Sequence, residues 1–390
     1  MRLRTPGPLR SSRARAPAVV LTLALILSST GAAPPVQAAD SAAVFMYHRF
    51  GEDRYPSTSV PMDAFAAQLQ WLADHDHAVI DLRQLLASLD GEGELPERAV
   101  VITIDDAYAS ILDRAWPLLR ERGWPFTIFV ATDPVDAGLP DYLDWPALRT
   151  LAEAGVTIAN HGAAHGHLAT AAPGETEDQR RARIEEDLRR GAARLEDELG
   201  ATGAVLERAF AYPYGEYDRT AAAVVEALGW VAFGQHSGAV GPGSDRRALP
   251  RFPVNEQYSA LEGFGTKAAS RPLPVVAVTP WDPVTGPRPS IEVVLDPVPE
   301  RVAELACYVS GQGRVEVAWL EPGRRFRVGP RQGLSAGRHR VNCTVPGRDG
   351  RYYWFSQPWL VQGQPGGQGR ESGRESGRES GPGPGPGSPP

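Results

Sequence analysis

Ala99-Val-Val-Ile-Thr-Ile-Asp-Asp106 decides how this sequence is read. Its first six residues form a continuous, mostly β-branched run with no polar alternation. That is the pattern of a strand buried on both faces of a parallel sheet. Two carboxylates follow at once. In parallel α/β folds the C-terminal ends of strands are where sites assemble. Neighbouring residues of an extended chain point to opposite sides. One acid can then bind a cation while the other addresses a water. Acid pairs also begin loops and cap helices, so the pair alone leaves both readings open.

Outward from this stretch, strand and helix patterns alternate. Strands are expected at Ala43–Tyr47, Ala78–Ile80, Phe126–Val130, Val156–Ala159, Ala209–Tyr212 and Trp230–Phe233. Helical spacing is read over Met62–His75 (Phe65, Leu69, Leu72), Leu82–Leu89 and the long charged Glu175–Leu199 (Ile184, Leu188, Leu195). The alternation implies a parallel sheet, open or closed into a barrel.

Two more of these strands end in chemistry-bearing residues. His161-Gly-Ala-Ala-His165 follows one, and the i, i+4 spacing puts both imidazoles on one side of a helical turn, a common two-ligand metal arrangement. A surface histidine cluster is the alternative, since His167 lies close by. Ala211-Tyr-Pro-Tyr-Gly-Glu-Tyr217 follows the other. Pro213 and Gly215 fix a tight loop whose amides can face an oxyanion, or which is simply an aromatic turn. His48 also stands just after a strand.

Composition bounds the rest. The chain has 390 residues, 42% hydrophobic and 22% charged, which excludes a wholly disordered chain and a polytopic membrane protein. Residues 1–38 hold Arg2, Arg4, Arg10, Arg13 and Arg15 and no acid, so setting them aside takes the net charge from −7 to about −12. An acidic body argues against general nucleic-acid binding. The Arg-rich start, the apolar run Ala18–Leu27 and Val36-Gln-Ala-Ala39 read as a signal peptide over 1–38, with an uncleaved anchor as the alternative. Cys307 and Cys343 then fit one disulfide in an exported protein, or two buried thiols.

Beyond 270 the style changes. Six prolines between Pro272 and Pro289 suggest a stiff connector. Short strand-like runs follow at Ser290–Leu295, Leu305–Ser310, Glu316–Leu320, Arg324–Val328, Arg338–Val345 and Tyr352–Trp359, as in a small antiparallel sandwich. Its Tyr352, Tyr353, Trp354, Phe355 and Trp359 suit either sugar binding or packing. Three Gly-Arg-Glu-Ser repeats and a Gly-Pro run then make a low-complexity tail that cannot build a core.

Taken together, the motifs resemble the polysaccharide deacetylase family, with the NodB-type homology domain of carbohydrate esterase family four. Thr103-Ile-Asp-Asp106 is similar to its first motif, Asn160-His-Gly-Ala-Ala-His-Gly-His-Leu168 to its second and Phe210-Ala-Tyr-Pro-Tyr-Gly215 to its third. Tyr47-His48-Arg49 is similar to a segment of its exported members. Order and intervals agree over about residues 43–265, and the likeness is greatest to exported poly-N-acetylglucosamine deacetylases. The resemblance implies that Asp106, His161 and His165 bind one divalent metal, usually zinc. It also implies that Asp105 is the general base and that the Tyr214 backbone amide meets the oxyanion.

The sequence departs from the family pattern in several places. Gly162 replaces a Ser or Thr, Ala107 a Gly, and Ala211 an Arg that orients the base. The late Leu-x-His motif supplying a general acid is not evident, and His236 is its weak substitute. His48, Tyr212 and Arg251 are the candidate substrate-binding residues, with Arg251 alternatively orienting Asp105.

The expectation is an α/β chain. A distorted, incomplete (β/α) barrel at 39–270 is followed by an immunoglobulin-like β-sandwich at 271–362 and a disordered tail at 363–390. Function is expected to be metal-dependent hydrolysis of a non-peptide carbon–nitrogen bond, the N-acetyl group of a GlcNAc-containing polysaccharide. The protein is read as a monomer exported to the periplasm or beyond. It would touch no nucleic acid, and membrane only through an uncleaved signal. O-deacetylation of a xylan-type polymer, or glycan binding by a decayed site, are the alternatives.

Overall fold

The computed structural model describes residues 1–3, 7 and 38–362. The leader read over 1–38 lies almost wholly outside them, and the tail entirely. Among the described residues no helix is long and apolar enough to cross a membrane.

The quoted stretch is strand β2 (Ala99–Asp105), the spine of a nine-stranded, mainly parallel sheet with β1 (Ala42–Tyr47), β3 (Thr127–Val130), β4 (Thr157–Asn160), β5 (Val205–Ala211), β6 (Val231–Phe233) and β7 (Phe252–Pro253); the short Ala78–Val79 joins β2 in parallel and Ala239–Val240 joins β1 antiparallel. The order is β6-β5-β4-β3-β2-β1, with β7 against β1. β1 and β2 are buried at every position, as expected of strands covered on both faces. Residues 246–254 return from β6 toward β1. Ala232 donates to the Arg246 carbonyl, Gly234 to Leu249, Arg251 to His236 and Val254 to Met46. This arc curls the sheet, in keeping with a distorted barrel, and carries Arg251 to the end of β2.

Helices α1 (Met62–Asp74), α2 (Leu82–Leu89), α3 (Trp145–Glu153), α4 (Glu177–Leu199), α5 (Arg219–Ala227) and α6 (Leu261–Ala268) accompany the strands. Thr176 and Gln179 form a capping box at the start of α4, which buries Ile184, Leu188 and Leu195. Gly191 sits in mid-helix, where glycine costs about 1 kcal/mol relative to alanine. A Cβ there would lie 2.7 Å from Asn160 Oδ1 and 2.9 Å from the Gly162 backbone. The glycine lets α4 press against the loop after β4.

Ten further strands form two sheets, the longer ones being β8 (Val275–Thr279), β9 (Ile291–Leu295), β10 (Ala306–Val309), β11 (Gly313–Val315), β12 (Val317–Glu321), β13 (Arg325–Val328), β14 (Gly337–Pro346) and β15 (Tyr352–Val361). One sheet runs β15-β14-β10-β11, the other β8-β9-β13-β12. Ile291, Val293, Leu295 and Phe326 of the second share a core with Cys307, Val341, Cys343 and Trp359 of the first. Cys307 and Cys343 are directly opposed on β10 and β14 and form a disulfide.

The expected connector is not one. Arg271–Pro272 and Val284–Thr285 each pair with β15, and β8 pairs with β9. Prolines sit readily beside edge strands, where no ladder donor is needed, so their density marks sheet margins here rather than a spacer. The aromatic run packs rather than waits for sugar. Trp359 is buried, Tyr353 and Phe355 pack on the same core, and Trp354 meets Phe252 of β7 edge-on at 5.3 Å.

Candidate active site

β2 ends at Asp105, and the chain then turns sharply. Asp106 and Ala107 both adopt left-handed backbone angles, φ 74° and 61°. Two consecutive non-glycine residues there are strained, as is common where a site fixes the chain. The turn is held by the Asp106 amide on the Phe129 carbonyl (3.0 Å) and the Leu143 amide on the Ala107 carbonyl (2.9 Å).

His161 follows β4, its amide bonded to the Val130 carbonyl at 3.0 Å. Its Nδ1 lies 2.8 Å from the Ala211 carbonyl, which makes it the N–H donor and leaves Nε2 as a lone pair. The spacing predicted a helical turn, but residues 161–165 form a loop. Gly162 has φ 76° and His165 φ 52°. Asn160 Oδ1 accepts from Gly162, while Asp187 of α4 accepts from Ala163 (3.2 Å) and Ala164 (2.9 Å). Asp187 and Asn160 thus buttress the loop. A Cβ on Gly162 would lie 2.7 Å from Asp187 Oδ2, so the usual Ser or Thr does not fit here.

The loop brings His165 to the other two residues. Asp106 Oδ1 is 3.2 Å from His161 Nε2 and 2.9 Å from His165 Nε2, and one donor atom from each residue lies within 4.8 Å of the others. Asp106 Oδ1 and His161 Nε2 are buried without a hydrogen-bond partner among the described residues. Orphaned polar atoms are costly in a protein interior. A single cation among these three donors would satisfy them, and an Asp-His-His set leaves positions open on a divalent ion. Burial alone would raise the Asp106 carboxyl, but His161 and His165 outweigh it and hold it well below the ordinary range.

Asp105 points to the other side and meets Arg251. Both are fully buried, and the guanidinium grips both carboxylate oxygens at 2.7 Å. Arg251 also donates to the Gly234 carbonyl (3.0 Å) and Thr103 Oγ1 (3.1 Å). Burial opposes ionisation of Asp105, yet Arg251, followed by His161, brings its pKa below the usual carboxylate value. Arg251 is therefore no sugar-binding residue: no solvent reaches it, and its donors are spent on Asp105 and the barrel wall. It supplies the orienting cation for which Ala211 leaves no side chain.

Tyr212 and His236 also lie elsewhere than the sequence suggested. Tyr212 is fully buried and donates its hydroxyl to the Arg247 carbonyl at 2.8 Å, so it cannot face substrate. His236 is buried, and that burial pushes its pKa down to about 4. It is neutral at pH 7 and holds no imidazolium proton for a general acid to give. His48 is only partly exposed. Burial lowers its pKa, and Asp106 and Asp105 are the charges that counter this, so it flanks the cluster.

Tyr214 has φ 59° at the crest of its loop, and its ring lies edge-on to His165 at 4.6 Å and stacks on His167 at 4.2 Å. Its carbonyl accepts from Arg338 Nη1 at 2.9 Å. Nothing in the sequence pointed to Arg338, which comes from β14. Asp187 and Gly191 were also missed. Their only signal was a glycine inside a helix that the surrounding pattern supports strongly.

Comparison with known proteins agrees with this geometry. The family pattern for polysaccharide deacetylases matches residues 92–233. YxkH of Bacillus subtilis, whose own name as a polysaccharide deacetylase is provisional, is 27% identical over 125 residues. That match spans 32% of this chain and 43% of YxkH, less than half its length. Poly-beta-1,6-N-acetyl-D-glucosamine N-deacetylase of Staphylococcus aureus is 25% identical over 217 residues, 54% of this chain and 73% of that one. The fold is shared with deacetylase PplD of Streptococcus pyogenes (TM-score 0.51, 18% identity, 58% of this chain and 98% of that one). It is shared too with a de-N-acetylase of Aggregatibacter actinomycetemcomitans (TM-score 0.52, 18% identity, 58% and 100%). Three motifs in register, the curled parallel sheet and the Asp-His-His cluster at its strand ends lead to one conclusion: residues 92–233 of this chain match the polysaccharide deacetylase domain.

Proposed function

We propose that this chain is an exported, metal-dependent N-deacetylase acting on a polysaccharide that contains N-acetylglucosamine. The observation that carries the reading is the gathering of Asp106, His161 and His165 around one point, with Arg251-bound Asp105 beside them. We read residues 1–38 as the leader, 39–270 as the catalytic part and 271–362 as an immunoglobulin-like sandwich.

In this reading Asp106, His161 and His165 hold one divalent ion, most simply zinc. When bound, it polarises the acetyl carbonyl and lowers the pKa of water. Every other role falls to the chain. Asp105 is the general base. Arg251 occupies one lone pair on each of its oxygens and leaves others to accept the proton of the attacking water. Its lowered pKa keeps it ionised at neutral pH. Once protonated, Asp105 can return that proton to the departing amine. The Ala211 carbonyl keeps His161 in the ligand tautomer. The Tyr214 amide receives the oxyanion, and His48 lines the cleft.

Acetate release and new amine formation should be measured together on a panel of acetylated oligosaccharides. The reading expects both from N-acetylglucosamine oligomers, with loss on chelation and recovery with Zn2+. Acetate without an amine, from O-acetylated xylo-oligosaccharides alone, would establish the ester-hydrolase alternative. Sugar binding without acetate would establish the decayed site.

A further inference from the structure

A second cleft adjoins the cluster across Tyr214. It is lined by Tyr214, His236 and Tyr258 from the barrel part and by Arg338, His339 and Arg340 from β14, and holds about 570 Å³ with its open mouth included. The enclosed part is only about 60 Å³, room for one small charged group rather than a whole sugar ring. No carboxylate is among its lining residues.

The charges here run against the rest of the molecule. Arg338 and Arg340 lie two apart on β14 and so share a face. Arg340 Nη2 donates to the Tyr258 hydroxyl at 2.9 Å. Lys267, the one lysine of the sequence, sits 5.2 Å from the Tyr258 ring on its own side. Among the described residues neither Arg340 nor Lys267 has a carboxylate partner. Burial and the nearby Arg340 push Lys267 down to about 8. Arg338 has only Glu216 at 3.9 Å, and Glu216 is itself taken by His167 at 2.7 Å. His339 donates Nε2–H to the Ser335 carbonyl at 2.9 Å, so its Nδ1 is a lone pair and the arginines supply the positive charge of the cleft. Two arginines on one strand face, in a cleft with no carboxylate in its lining and in an otherwise acidic protein, suit an anionic group.

We propose that this cleft binds an anionic group, a carboxylate or phosphate, on the sugar next to the one being deacetylated, so that the enzyme selects an acidic polysaccharide. The proposal rests on the deacetylase reading for what happens to the neighbouring sugar. It does not rest on that reading for the binding itself. Tyr214 joins the two sites, since its ring touches His165 and its carbonyl holds Arg338. The β-sheet part therefore chooses the polymer, while the barrel supplies the chemistry.

The test uses the full, zinc-loaded chain and three tetrasaccharides: N-acetylglucosamine alone, N-acetylglucosamine alternating with glucuronic acid, and a phosphorylated N-acetylglucosamine tetramer. Calorimetric affinities at 50 and 300 mM salt should favour an acidic tetramer about ten-fold at low salt and less at high salt, as for charge-driven contacts. Whichever acidic tetramer binds tighter names the anion. Arg340→Gln should erase the preference, and Arg340→Lys should retain most of it. Equal affinity for all three, no binding at all, or equal loss in both variants would overturn the proposal. Acetate release is measured on the same samples. Binding preference without acetate sinks the deacetylase reading and leaves the anion cleft standing. Acetate without preference does the reverse.

Discussion

Arg251 and Asp105 stand 146 residues apart in sequence and meet as a fully buried, two-pronged ion pair, both bonds 2.7 Å long. The short stretch that closes the sheet delivers the cation, and β2 delivers the acid. Removing one partner leaves the other charged and unpaired in the interior, which costs about 3–5 kcal/mol.

Arg251→Gln should therefore lose stability by that order in chemical denaturation. Its kcat should fall on the order of 100-fold, as when a ligand-orienting partner is removed. The pH profile gives the sign. Arg251 lowers the Asp105 pKa against burial. Without it burial prevails, so the acid limb of activity must move to higher pH. An acid limb left in place would mean that Asp105 is not the base.

Asp105→Asn should abolish turnover and keep full metal content, because Asp105 is not among the three gathered donors. His161→Ala should lose both. Elemental analysis of the two purified variants separates the roles. Wild-type-like acetate release from Asp105→Asn would remove the base assignment.

Metal binding should be visible without substrate. A chelated sample titrated with Zn2+ should gain about 3–4 kcal/mol of stability at 100–1,000 times the dissociation constant, read as a rise in Tm. The gain should fade as pH drops through the histidine range, because the ligands must be unprotonated. A Tm that ignores Zn2+ at pH 7 would count against the site.

Gly162→Ser restores the residue type usual in the resembled family, yet it should impair this protein. The backbone there has φ 76°, and a Cβ would meet Asp187 at 2.7 Å. Side chains at such angles cost of order 1–3 kcal/mol. A drop of that size in stability, with weaker Zn2+ binding, is expected. A neutral outcome would show that the loop is not held by Asp187.

Acid should destabilise the fold before its carboxylates titrate. His77 and His236 are each 7% exposed, and burial lowers each to about 4. Between the ordinary value near 6.5 and about 4, the unfolded chain binds protons that the folded one refuses, so stability rises with pH there. Each contributes up to about 3 kcal/mol lost between pH 7 and pH 4. Denaturation at the two pH values checks this, and His77→Gln should flatten the difference.

Local patterns carried the α/β part well. β2 and the acid pair were legible because burial on both faces leaves no polar alternation, and Met62–Asp74 and Leu82–Leu89 because one face is apolar. His161 and His165 were found by spacing, but through the wrong local structure: the spacing that suits a helix is met by a loop with two positive φ angles. Arg251 was ambiguous because its partner is set by sheet curvature, which no short window encodes. Tyr212 failed for the opposite reason, as a motif tyrosine turned inward by its own strand. β8 was hidden by flanking prolines and Arg338 by sheer distance along the chain.

The bond from Arg338 to the Tyr214 carbonyl ties the sandwich to the crest of the loop after β5. A chain shortened to end at residue 270 would keep Asp105, Asp106, His161 and His165, yet lose the Arg338 contact to Tyr214 and the edge-on contact of Trp354 with Phe252. Under the proposed function, polymer choice would be altered by exchanging side chains along β14 while its scaffold stays in place.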